Sequence, residues 1–168
     1  MKKILQKENS ILRQVAKEVA VKEITSLKIK KIIKEMTDAL IKEPEGVALA
    51  APQIGYSLRI FIVRKNKLKN EENAESKEKE VFLVFINPKI LKTSRKKNLL
   101  KEGCLSLAGV YGEIWRKEKV LIKAYDENGN KFQRGASGLL AEIIQHEIDH
   151  LNGILFVDKT ANLKTYEK

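Results

Sequence analysis

The sequence predicts an α+β fold in which antiparallel β-sheets pack around a central C-terminal helix carrying a metal motif, with a second helix nearer the N terminus. Three observations predict it. Ile29, Ile32, Ile33, Met36 and Leu40 recur at helical spacing. Segments rich in β-branched and aromatic residues occupy the middle of the chain. A last periodic run, from Ser137 to Leu151, carries so many apolar residues that it belongs in the interior.

The elements follow in order. Thr25 or Ser26 can cap the first helix, and Pro44 follows its end. The stretch Gly46-Val47-Ala48-Leu49-Ala50-Ala51-Pro52-Gln53-Ile54-Gly55 suits neither a long helix nor an ordinary surface loop, and its small side chains let backbone approach something closely. Strands are expected at 59–64 and 81–86, joined through the polar segment 65–80, which reads as a mobile surface loop or a long hairpin tip. Residues 120–125 form another strand. The turn chemistry of Asp126-Glu127-Asn128-Gly129 then leads into a strand at 131–134. In the final helix Leu139, Leu140, Ile143, Ile144, Ile148 and Leu151 supply the apolar face, and Gly153 is a natural stop.

At 168 residues with 43% hydrophobic content, the chain is expected to form a single catalytic domain over 1–168. Its net charge of +11 would suit contact with nucleic acid or a ribosome. The lysines are scattered and not interleaved with aromatics, so solvated faces are the favoured reading and no specific DNA partner is expected. Cys104 is the single cysteine, which excludes an intrachain disulfide and fits a reducing compartment. The N terminus turns charged before an apolar run develops, and no stretch approaches the roughly 18 residues needed to span a bilayer. A cytoplasmic bacterial protein with no membrane partner is expected, with a processed organellar form as the alternative.

The chemistry concentrates in His146-Glu147-Ile148-Asp149-His150, which holds both histidines of the chain. Positions i and i+4 share a helical face, so both imidazoles can reach one metal ion, and Glu147 beside it can take a proton from bound water. Catalytic zinc usually has three protein ligands and an open position. A third histidine six residues downstream would complete one protease pattern, but position 156 is Phe. Glu167 could serve another, yet it is next to last in the chain. Upstream, Glu102-Gly103-Cys104-Leu105-Ser106-Leu107 offers a thiolate, a strong ligand for zinc or ferrous iron, beside a glycine that permits close approach. A Cys104–His146–His150 site with an open fourth position is the favoured outcome over a merely packed cysteine.

Three separated segments, 46–55, 102–107 and 145–158, resemble the three signature motifs of the peptide deformylases. The third, Gln145-His146-Glu147-Ile148-Asp149-His150-Leu151-Asn152-Gly153-Ile154-Leu155-Phe156-Val157-Asp158, is similar at nearly every motif position, as is the early stretch Ile11-Leu12-Arg13 with Val15-Ala16. The resemblance implies a hydrolase that removes the N-formyl group from nascent bacterial and organellar proteins. It implies one divalent ion on Cys104, His146 and His150: iron in vivo, with zinc, nickel or cobalt able to replace it. It also implies Glu147 as general base and acid, and oxyanion donors in the Gln53 side chain and the Leu105 backbone N–H. Gly46, Val47, Ala48, Gly103 and Ile143 are then expected to contact formyl-methionyl peptides, with backbone around Val47 and Ala48 pairing with extended substrate as an added strand would.

Three positions depart from or escape the family pattern. Ala48 stands where a second glycine is usual, Ala108 replaces a common proline, and the resemblance fixes no residue type at Glu142. With ten residues after Asp158, a transient ribosome contact through a long terminal helix is expected to be weak or lacking. An HExxH metallopeptidase, or a catalytically silent ribosome-associated homologue, are the alternatives. The intact Gln53, Cys104, His146, Glu147 and His150 argue against the silent homologue, while the helix motif alone would also fit a metallopeptidase, the runner-up.

Overall fold

The sheet at the centre of the molecule is covered on both faces, which explains why Ile60–Arg64 (β2) is buried at every position. The computed structural model describes residues 2–68, 80–160 and 162–165. Leu27–Ile41 forms α1, with Ser26 as its cap: the Ile29 N–H donates to Ser26 Oγ at 3.3 Å. The buried stripe Ile29, Ile32, Met36, Ala39 and Leu40 lies against Leu49, Ile60, Ile62, Val84 and Ile86 on one face of the sheet. Alternate residues Ala50, Phe61, Val63 and Phe85 point to the other face, as the two-residue period of a strand requires.

That second face receives Gly138–Leu151 (α2) through Ala141, Ile143, Ile144, Ile148 and Leu151. The five-stranded antiparallel sheet has the order β1-β2-β3-β6-β7, where β1 is Ala48–Ala50, β3 Phe82–Thr93, β6 Lys119–Tyr125 and β7 Lys131–Ser137. Phe61 and Phe85 stack across it at 4.5 Å between centroids, and Phe132 meets Phe85 edge-on. A smaller sheet, β4 (Lys97–Cys104), β5 (Leu107–Lys117) and β8 (Asn162–Thr165), lies along another side of α2. Gln145 fastens helix to sheet by accepting from the Lys117 N–H and donating to the Lys117 carbonyl, both at 2.9 Å.

Every strand expected from the sequence is present, though the second and the last run longer than expected. The 46–55 stretch is β1 followed by a 3-10 turn, Ala51–Ile54, that ends on Gly55 at φ +89°. β2 and β3 pair antiparallel, and Lys65–Leu68 makes a 3-10 turn after β2, while residues 69–79 of the expected polar loop lie outside the described residues. Gly153, at φ +72°, ends α2 by turning the chain under the N-terminal segment. A Cβ there would stand 2.6 Å from the Arg13 carbonyl oxygen. Among the described residues no helix is long and apolar enough to cross a membrane.

Candidate active site and metal centre

The buried face of α2 points His146 and His150 toward the end of β4. Their rings stand 5.0 Å apart between centroids, nearly perpendicular. β4 and β5 form a hairpin whose register breaks between Gly103 and Cys104, and the break turns Cys104 toward α2. Cys104 Sγ lies 3.1 Å from His150 Nε2, and the ligand atoms of Cys104, His146 and His150 all fall within 4.8 Å of one another. One sulfur and two imidazole nitrogens at such spacing match the soft, borderline donor set of a zinc or ferrous-iron site.

The atoms around these donors support that fit. His146 Nδ1–H donates to Glu102 Oε2 at 2.8 Å, which leaves Nε2 for a cation. Glu102 is 4% exposed and receives two bonds from Arg116, from Nε at 2.7 Å and Nη2 at 2.9 Å. Arg116 Nη1 continues to Asp149 Oδ2 at 2.6 Å, and Lys159 Nζ closes the chain on Asp149. Burial favours a neutral Glu102, but the bonds from Arg116 and His146 outweigh it and hold the carboxyl down to about 2. Burial disfavours charge on His146 too, yet its bonds to Cys104 and Glu102 raise its pKa well above the ordinary value. His150, buried and beside His146, is pushed well below the ordinary value and is a neutral donor.

Glu147 is buried, and its Oε2 has no hydrogen-bond partner among the described residues. It faces a cleft of about 460 Å³. Burial pushes its carboxyl up to about 7, with His146 opposing and Glu102 reinforcing the shift. Gln53 reaches the same cleft from the other side. Its Oε1 accepts from the Ala50 N–H at 2.8 Å, which fixes the amide so that Nε2 faces Ser106 Oγ at 3.1 Å and Cys104 Sγ at 3.6 Å.

β1 is an edge strand of the large sheet, paired on one side to β2 through Ala48 and Val63, with Gly46, Val47 and Ala48 lining the cleft. Arg64, buried, holds the segment before β1 in place by donating to the carbonyls of Glu43 and Gly46, and pairs with Glu80 at 2.6 Å. Gly46 lets that segment lie close to its neighbours, since a Cβ would stand 2.7 Å from Leu40 Cδ1 and 3.1 Å from the Glu43 carbonyl oxygen.

The sequence-expected residues Gly46, Val47, Ala48, Gln53, Gly103, Cys104, Leu105, Ile143, His146 and Glu147 all line this one cleft, and His150 lies buried behind them. Ala108 is an exposed strand residue on its wall. The sequence reasoning missed the supporting shell of Glu102, Arg116, Asp149, Ser106 and Arg64. Glu102, Ser106 and Asp149 sit inside the motif segments and could have been suspected from that position. Arg116 and Arg64 carried no signal, being cations in strands that otherwise bury apolar residues.

A sequence profile for the polypeptide deformylases matches residues 1–166. The chain belongs to the peptide deformylase family. It is 44% identical over 150 residues to the peptide deformylase of Borreliella burgdorferi, covering 89% of this chain and 82% of that one. Among solved structures it is similar to a peptide deformylase from Legionella pneumophila, with 38% identity, a TM-score of 0.82, and 96% and 86% of the two chains covered. It is also similar to the peptide deformylase of Thermotoga maritima, with 31% identity, a TM-score of 0.83, and 96% and 99% covered. Peptide deformylases are hydrolases that take the N-formyl group from nascent peptides, and they are metalloenzymes. Among the described residues, Cys104, His146 and His150 form a group that could hold a metal ion.

Proposed function

We propose that the chain hydrolyses the N-formyl group of formyl-methionyl nascent peptides to formate and a free amine, as one catalytic domain in the compartment where translation takes place. The observation that carries this reading is the convergence of a buried carboxyl, Glu147, whose Oε2 has no partner among the described residues, and a fixed amide, Gln53, on a Cys–His–His cluster beside an edge strand. Cys104, His146 and His150 would hold one divalent cation, ferrous iron in the cell, with zinc, nickel or cobalt able to replace it. When bound, that cation supplies positive charge that makes water acidic and polarises the formyl carbonyl.

The chain's own residues do the rest. Glu147 takes the proton of the attacking water on its carboxylate and gives it to the nitrogen of the leaving amine, ending the cycle ionised. The tetrahedral species places negative charge on the former formyl oxygen, which Gln53 Nε2–H and the Leu105 N–H stabilise, each donor contributing roughly 3 kcal/mol. The edge around Val47 and Ala48 pairs with the substrate backbone as an added strand, with Gly46 lining the cleft beside it. Ile143 lends its apolar side chain to the methionine, and Gly103 lets the β4–β5 hairpin stand close to it. The Ala48 methyl narrows the approach beside that edge and is expected to change affinity more than turnover.

The test compares formyl-Met-Ala-Ser with Met-Ala-Ser. Formate and intact Met-Ala-Ser should appear from the first, and nothing from the second. Cleavage of a peptide bond in either substrate would replace this reading with a metallopeptidase.

A further inference from the structure

We propose that Glu142 makes the cleft selective for formylated peptides with a cationic side chain close behind the methionine, and selective against those with an anionic one there. The inference rests on the formyl-peptide reading above and names the substrate class within it. Glu142 stands on α2 one turn before His146 and next to Ile143, and all three line the cleft. Its side chain is half-buried, yet among the described residues it makes no hydrogen bond and no ion pair. A carboxylate drawn partly out of water without a partner is costly, and a ligand cation removes that cost.

Among the described residues only the longer-range charges of His146 and Arg116 favour its ionised form. Arg116, the nearest strong cation behind the wall, is spent on Glu102 and Asp149. Lys101 lines the same cleft, with its Nζ 5.3 Å from the Tyr111 ring. Burial pushes the Glu142 carboxyl up from its ordinary value and Glu102 adds to the push, outweighing the opposing charges of His146 and Arg116. The rim of the same cleft carries Glu43 and Glu45. A chain of net charge +11 thus turns an acidic wall toward its substrate.

The experiment measures kcat/KM for formate release from formyl-Met-Lys-Ala, formyl-Met-Ala-Lys and their Glu counterparts, using the metal-loaded enzyme at low salt. At one of the two positions the Lys substrate should exceed the Glu substrate by about tenfold, the scale of unit charges a few ångströms apart at a half-buried site. The difference should reside in KM, since the contact is equal in ground and transition states, and should shrink at high salt. Glu142→Gln should bring the ratio close to one, and Glu142→Lys should invert it. Glu127→Gln, on the turn between β6 and β7, should keep the wild-type ratio. Because each ratio is taken within one enzyme preparation, partial unfolding of a variant cancels. A wild-type ratio near one, or a ratio that Glu142→Gln leaves unchanged, overturns the inference while the deformylase reading stands. No formate from any of the four peptides overturns that reading and this one with it.

Discussion

Replacing Arg116 with Met would remove the cation that neutralises two buried carboxylates while keeping the volume of the side chain nearly filled. Arg116 is 4% exposed and donates three charge-assisted hydrogen bonds, two to Glu102 and one to Asp149. Such bonds contribute roughly 1.5–3 kcal/mol each before the cost of burying the guanidinium is subtracted. Glu102 would keep His146 and Asp149 would keep Lys159, so neither acid is fully orphaned. Removing one partner of a buried ion network typically costs about 3–5 kcal/mol, and that range applies here. For a chain of this size the loss corresponds to a fall in Tm of about 10 °C. Urea titration of wild type and Arg116→Met, with the metal state matched, measures it directly. A loss below about 1 kcal/mol would refute the claim that the network stabilises the Glu102–His146 geometry.

Further outcomes follow from single contacts. Gly153→Ala forces a left-handed φ on alanine and sets its Cβ 2.6 Å from the Arg13 carbonyl, so it should cost about 3 kcal/mol in urea titration; a neutral result would mean the turn relaxes freely. Gln53→Glu keeps the acceptor that holds the Ala50 N–H but loses the donor, so kcat should fall at least about a hundredfold with the fold intact. Should KM rise instead while kcat holds, Gln53 binds substrate and does not stabilise the oxyanion. Burial opposes ionisation of Asp158, but its bonds from Arg13 and the Leu155 N–H prevail and hold its carboxyl below the usual range. A depressed folded pKa contributes stability that is fully present above the unfolded value of about 3.9 and is lost as pH falls through the folded one. Asp158→Asn should therefore flatten part of the acid limb of a stability–pH curve below about pH 4; superimposable wild-type and variant slopes there would contradict it.

The sequence made the helices and the central sheet legible because their burial follows the periods of helix and strand. α1 buries Ile29, Ile32, Met36 and Leu40 as the spacing requires, and β2 buries everything because helices cover both its faces. The smaller sheet was illegible for a physical reason. On β5 the inward positions hold Gly112, Ile114 and Arg116, while Tyr111 and Trp115 face outward, so the apolar pattern runs against the burial. On β4 the inward position nearest the site holds Glu102. Both departures serve the site: the inward charges there build the shell behind His146. The candidate ligands and Gln53 could be read because motif spacing exposes them. The shell could not, since its members meet only once hairpin and helix are packed together.

The most direct test of the central claim is formate release by metal-loaded wild type and Glu147→Ala on formyl-Met-Ala-Ser, with metal content measured on both proteins. Both should hold about one equivalent of metal, since Glu147 is no ligand in this account. The wild type should turn over while Glu147→Ala loses about a thousandfold or more. Wild-type turnover by Glu147→Ala, or no formate from either protein in any metal form, would contradict the account.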